Sequence, residues 1–136
     1  MGPDAPPPAH AAIRAAIEAA TAALAGADPA RPSEALPLLR TAQEQVTAAI
    51  DESMAAVLLT DGGTIRTTGA LAGLSENAVG PRLARTRLLA AYGSDAGRVT
   101  ASGLERARYD LEEGRHRQAP EGEAPTPLRF RARRRP

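Results

Sequence analysis

A mainly α fold is predicted by three features of the sequence. The core has to be built from Ala, Leu, Val and Ile, because the aromatics are only Tyr92, Tyr109 and Phe130, and small aliphatic residues suit closely packed helices. Apolar residues recur at helical spacing in the longer segments. Capping and turn residues fall where those segments start and stop. At 136 residues the chain has room for one compact domain with tails.

The elements run in order. Residues 1–8, MGPDAPPP, are Pro-rich and expected to be disordered. From Ala9 to Ala25 the chain is Ala-rich, with Ile13, Ile17, Ala20 and Leu24 on one helical face, and Gly26 is its stop. GADPARPS, Gly26–Ser33, closes a 9–33 region of helix plus linker. The longest periodic stretch runs from Pro37 to Thr60, where Leu39, Ala42, Val46, Ile50 and Val57 recur at spacings of three, four and seven and are expected to be buried. Ser102 and Glu105 form an S-x-x-E capping box for a further helix ending near Gly114. The main domain is placed at 34–115 and a disordered, Arg-rich tail at 116–136.

Composition excludes several functions. There is no cysteine, so disulfides, thiolate chemistry and zinc–thiolate sites are ruled out. His10 and His116 are the only imidazoles and sit in segments that look flexible. No paired carboxylates occur in a context that raises a pKa. No enzymatic activity, catalytic residue, cofactor or metal is therefore expected. The GG pair at Gly62-Gly63 lacks the GK[ST] continuation of a phosphate loop. No apolar run is long enough to span a membrane and no signal peptide is visible, so the expected location is cytoplasmic.

Charge is unevenly spread. All 17 basic residues are Arg. Residues 1–59 carry −4, residues 60–117 carry +2 and residues 118–136 carry +3. The positive half is the half that contains the most distinctive string, and Arg matches phosphate oxygens and the guanine edge.

That string is TIRTTGALAGLSENAVGPRLA, Thr64–Ala84. It fits two short helices crossing over a tight turn. Gly69 supplies the small residue at the crossing, Gly73 the residue that tolerates positive φ, and Ser75 the N-cap of the second helix. Leu71, Leu74, Val79 and Leu83 are the expected buried faces. The string resembles the helix-turn-helix of the lactose-repressor family of bacterial regulators, T-[VI]-x-x-[VI]-A-x-x-A-G-[VL]-S-x-x-T-V-S-R-x-[LI]. Thr64, Ile65, Ala72, Gly73, Leu74, Ser75, Val79 and Leu83 agree with it, and the resemblance extends to none of the remaining chain.

The next stretch, residues 88–103, resembles the winged helix-turn-helix regulators. Leu88–Tyr92 would be the first wing strand, Gly93–Gly97 its turn, and Arg98-Val99-Thr100-Ala101-Ser102-Gly103 the T-x-x-G step into the last helix. The implied fold is a tri-helical helix-turn-helix core with a short β-hairpin wing, an N-terminal helix and disordered tails.

Carried over by position, the resemblance places base contacts at Glu76 and Asn77 and phosphate contacts at Thr67 and Ser75. Arg82, Arg85 and Arg87 would lie along the groove or on phosphates, and Arg98 would be a wing contact to the minor groove or to phosphate. The implied partner is double-stranded DNA, bound by a small bacterial transcriptional regulator or accessory protein associated with the nucleoid. The alternative is a protein-interaction module built on the same tri-helical unit without DNA binding. Homodimerisation through Ala9–Ala25 or Pro37–Thr60 is a hypothesis motivated by their thin apolar stripes.

One departure bears on all of this. The family has Ser-Arg where this chain has Gly80-Pro81. An interior Pro removes a helical hydrogen bond and clashes with the preceding turn, at about 3 kcal/mol. Either the recognition helix is kinked there, or it stops at Val79 and a new helix begins at Pro81. In the second case Leu88–Tyr92 stays helical and the wing shrinks.

Overall fold

The computed structural model describes residues 7–118; the segments 1–8 and 116–136, expected to be disordered, lie outside the described residues at 1–6 and 119–136, and Pro7 and Pro8 instead open a helix. It contains α1 (Pro7–Gly26), α2 (Pro32–Thr60), α3 (Ile65–Leu71), α4 (Glu76–Leu83) and α5 (Ala101–Glu112), with a 3-10 turn at Ala90–Tyr92. Among the described residues there is no strand.

A five-residue turn links α1 to α2, in which the Asp28 carboxylate accepts from the Ala30 amide at 2.9 Å. The second helix starts at Pro32, five residues before the expected Pro37. Pro32 stands at the first helical position, where its missing N–H costs nothing and its φ is already helical. Pro37 is then carried inside the helix, on an exposed side where the Ser33 carbonyl it leaves unpaired meets water.

The face that α1 turns toward α2 keeps only part of the expected one, in Ala20 and, on α2, Ala42. Ala16, Ala20 and Ala23 are buried, with Ala35 and Ala42 opposite on α2. Ile17 and Leu24 are 53% and 52% exposed, and Leu39 and Val46 are nearly as open. Methyl groups allow the two helix backbones to approach closely, so the small residues take the seam and the larger rows stand to one side of it.

The main core lies at the C-terminal end of α2. Met54, Leu58 and Leu59 pack with Val79, Leu83, Leu88, Leu89, Tyr92, Val99 and Leu104. Arg108 closes the end of α2 by donating to the Leu58 carbonyl at 2.9 Å, an acceptor that the helix terminus leaves free, and to the Gly63 carbonyl in the turn beyond at 2.7 Å.

The expected wing is corrected. Residues 88–92 form turns and a 3-10 turn rather than a strand. Buried Thr86 holds them there: its hydroxyl donates to the Leu83 carbonyl at 2.7 Å and accepts from the Leu89 amide at 3.1 Å. Glu52 on α2 accepts from the Arg87 amide at 2.8 Å. These bonds fix a helical path that a hairpin strand could not follow. The Gly93–Gly97 loop closes through two backbone bonds, Ser94 N–H to the Arg98 carbonyl at 2.8 Å and Gly97 N–H to the Ser94 carbonyl at 2.9 Å.

Two further expectations change. The last helix is capped by Thr100, whose hydroxyl accepts from the Gly103 amide at 3.3 Å, and not by Ser102. The T-x-x-G spacing has a second cause at its glycine: a Cβ on Gly103 would fall 2.6 Å from the Tyr92 carbonyl oxygen. His116 is not loose either, since its ring stacks on Tyr92 at 5.3 Å between centroids.

Candidate nucleic-acid interface

The pair α3 and α4 meets across Ala72–Ser75. Thr64 caps α3, its hydroxyl accepting from the Thr67 amide at 3.0 Å, while the Thr67 hydroxyl receives the Thr64 amide at 3.1 Å. Thr67, expected to face phosphate, thus spends its side chain on this reciprocal cap at an exposed position. Gly73 has φ +75° in the turn. Gly69 is the crossing point, where a Cβ would lie 2.6 Å from Val79 Cγ2, and Val79 is fully buried.

Ser75 is the N-cap of α4 but its hydroxyl makes no capping bond. Glu76 and Asn77 come next and are exposed. Leu71, expected to be buried, is 83% exposed at the end of α3, and Leu74 is half-buried.

Gly80-Pro81 does not break α4, which continues to Leu83. Each residue has a local reason. The 98–99 segment crosses α4 at Gly80: the Val99 amide donates to the Gly80 carbonyl at 3.0 Å. A Cβ on Gly80 would come within 3.1 Å of the Val99 carbonyl oxygen and of Arg98 Nε. Pro81 has no N–H for the Asn77 carbonyl, its helical acceptor. Arg98 Nη2 donates to that carbonyl instead, in a long bond of 3.4 Å. Arg98, expected on a wing, is laid across α4.

An open cavity of about 420 Å³ lies beside this arrangement, lined among others by Thr64, Arg66, Glu76, Asn77, Arg98 and Thr100. The first residues of α3, α4 and α5 all contribute to it. Helix N-termini present free N–H groups and a partial positive charge, which favour anions. Arg66 is exposed on the rim, and the sequence reading misses it. Its place directly after the Thr64 cap and Ile65 is the signal that could have found it.

The other predicted arginines stand elsewhere. Arg82 Nε donates to Asp51 Oδ1 on α2 at 2.7 Å, with side chains 25% and 11% exposed. Arg87 is half-buried beside Glu52, and Arg85 is exposed. Burial pushes the Asp51 carboxyl above its ordinary range despite the Arg82 bond and the charges of Arg82 and Arg85. Burial likewise raises Glu52, outweighing the Arg87 amide and the Arg87 charge, and Asp51 adds to the rise. One Glu52 oxygen, Oε1, is buried without a partner. Sequence position alone groups eight residues into one surface; the structure brings Glu76, Asn77 and Arg98 together and ties Arg82 and Arg87 to α2.

Among the described residues no group of His, Asp and Glu is placed to hold a metal ion, and no helix is long and apolar enough to cross a membrane. No family model matches the chain, and neither a curated protein nor a solved structure matches it.

Proposed function

We propose that the chain binds double-stranded DNA as a small regulator or accessory protein, with α3, the Ala72–Ser75 turn and α4 acting as a helix-turn-helix. The observation that carries this reading is the exposed start of α4. Glu76 and Asn77 are exposed and line a cavity to which the first residues of three helices contribute, and Arg66 and Arg98 line it too. A carboxylate accepts from cytosine N4 and an Asn amide pairs with adenine N6 and N7. Arg66, Arg98 and the helix N-termini hold phosphates, which positions the helix without reading sequence. The reading uses no catalytic step and no cofactor.

The test is a salt titration of binding to random-sequence duplex, followed by fluorescence anisotropy. DNA binding gives a steep negative slope of log K against log salt, and Arg66→Ala and Arg98→Ala each flatten it by about one unit. Binding that is weak and insensitive to salt overturns the proposal and favours the interaction module, for which the exposed Leu71 is the supporting observation.

A further inference from the structure

We infer that a second copy of this chain covers the apolar face of the α1–α2 hairpin, pairing with the same face of its neighbour. The inference is independent of DNA binding. An apolar groove of about 450 Å³ runs along this face, bordered by Ile17 and Leu24 of α1, Val46, Ile50 and Val57 of α2, and Leu71 of α3. Leu39 lies two helical turns before Val46 and extends the row on α2. Large aliphatic side chains stand half in water here, whereas the alanines beside them are buried. Single exposed apolar residues are ordinary, but two contiguous rows at helical spacing mark a contact surface.

Size and charge both select another copy as the occupant. A 20-residue helix is about 30 Å long and two packed helices are about 20 Å across, so the face projects roughly 600 Å². Its accessible area is larger than its projection, which brings it near the ~800 Å² that each partner gives to a standard interface. The groove is lined by uncharged side chains only. Arg14 and Glu18 flank Ile13 and Ile17 on α1, and Arg40 is joined to Glu44 at 3.1 Å on α2. With no charged side chain in the groove itself, the face calls for neither an acidic nor a basic partner. A twofold axis sets such a surface against itself without like-charge conflict.

Sedimentation equilibrium of the full chain without DNA, from about 1 to 500 µM, brackets the affinities expected of this interface size. The expected result is a concentration-dependent monomer–dimer equilibrium. Ile17→Glu and Val46→Glu should remain monomeric across that range with unchanged helical circular dichroism, since both positions are already half exposed. The chain has no cysteine, so a spin label on Thr21→Cys, in the groove, reports this face alone. Paired faces keep the labels within about 40 Å, because each face is about 30 Å long and packed helix axes lie 8–10 Å apart. A wild-type chain that stays monomeric overturns the inference and leaves the face to a different protein. So does a dimer that both Glu variants retain, or one whose labels are far apart.

Discussion

Arg82 reaches across 31 positions of sequence to Asp51 and holds its carboxylate at 2.7 Å, so the arginine best placed by sequence to follow the DNA groove is an internal tie between α4 and α2. Arg82→Ala leaves a mostly buried carboxylate unpaired and should lower unfolding free energy by about 2 kcal/mol. Replacing both residues, Arg82→Met with Asp51→Leu, should recover most of that loss. Arg85→Ala, at an exposed position, should change stability by less than about 0.5 kcal/mol. Urea denaturation of the four proteins checks the ordering. A loss of DNA affinity in Arg82→Ala thus has to be corrected for unfolding before it is assigned to contact.

Pro81 and Arg98 form a second linked pair through the Asn77 carbonyl. Pro81→Ala restores an N–H to that carbonyl and removes a ring from the helix interior. It should stabilise the protein by about 1–3 kcal/mol. The freed Arg98 guanidinium should gain mobility, visible in the NMR relaxation of its Nε. An unchanged melting temperature would mean that Pro81 costs α4 nothing.

The α3–α4 crossing depends on an absent side chain. Gly69→Ala forces a Cβ against Val79 Cγ2, which is buried and β-branched and has little room to turn. A cost of about 1–3 kcal/mol is expected from overpacking, seen as a lower midpoint in urea. Gly69→Ala combined with Val79→Ala should restore part of the loss, because the clash is removed.

His116 sets a pH dependence. Burial lowers its pKa, with a smaller lowering from Arg117; the Leu88 backbone and Asp110 act in the opposite direction. The Leu88 contact falls short of a hydrogen bond, and both ring nitrogens are buried without partners. A lowered pKa means that the folded state disfavours the protonated form. The stability it contributes is present above about pH 6.5, the ordinary value, and is lost as pH falls through the lower folded pKa. The raised Asp51 and Glu52 act with opposite sign, giving stability in acid that is lost as pH rises. The difference between wild type and His116→Gln isolates the imidazole: their melting temperatures should converge in acid. Parallel curves from pH 8 to 5 would remove any role for His116 in the pH response.

The sequence is most legible where a residue's own backbone needs decide its place. Gly73 at positive φ and Gly69 at the crossing of two helices joined by a short turn both follow from local geometry. The wing is misread because nothing local in Leu88–Tyr92 excludes a strand. Its helical path is imposed by Thr86 and by Glu52, which comes from a helix 35 positions away. The seam of α1 is misread for a related reason. Hydropathy ranks Ile and Leu above Ala, but the gap between two neighbouring helices selects for size, and only tertiary packing reveals the gap. In the candidate site, Glu76 and Asn77 are legible from a helix start, whereas Arg82 reads as outward-facing because Asp51 is remote in sequence.

The alanine seam also determines how the molecule opens. Each alanine offers one methyl group to the contact, and ordering a residue costs about 1–2 kcal/mol of backbone entropy. In a single copy α1 is therefore held by this small-residue seam and by Ile13 against the main core, while α4 is anchored within that core through Val79 and Leu83. Amide hydrogen exchange should show two tiers, with α1 exchanging through a shallow local opening and the amides of Val79 and Leu83 only near global unfolding. Protection of α1 should rise with protein concentration if a neighbouring copy closes over it. In that event the N-terminal helix becomes a gauge of assembly, readable one amide at a time.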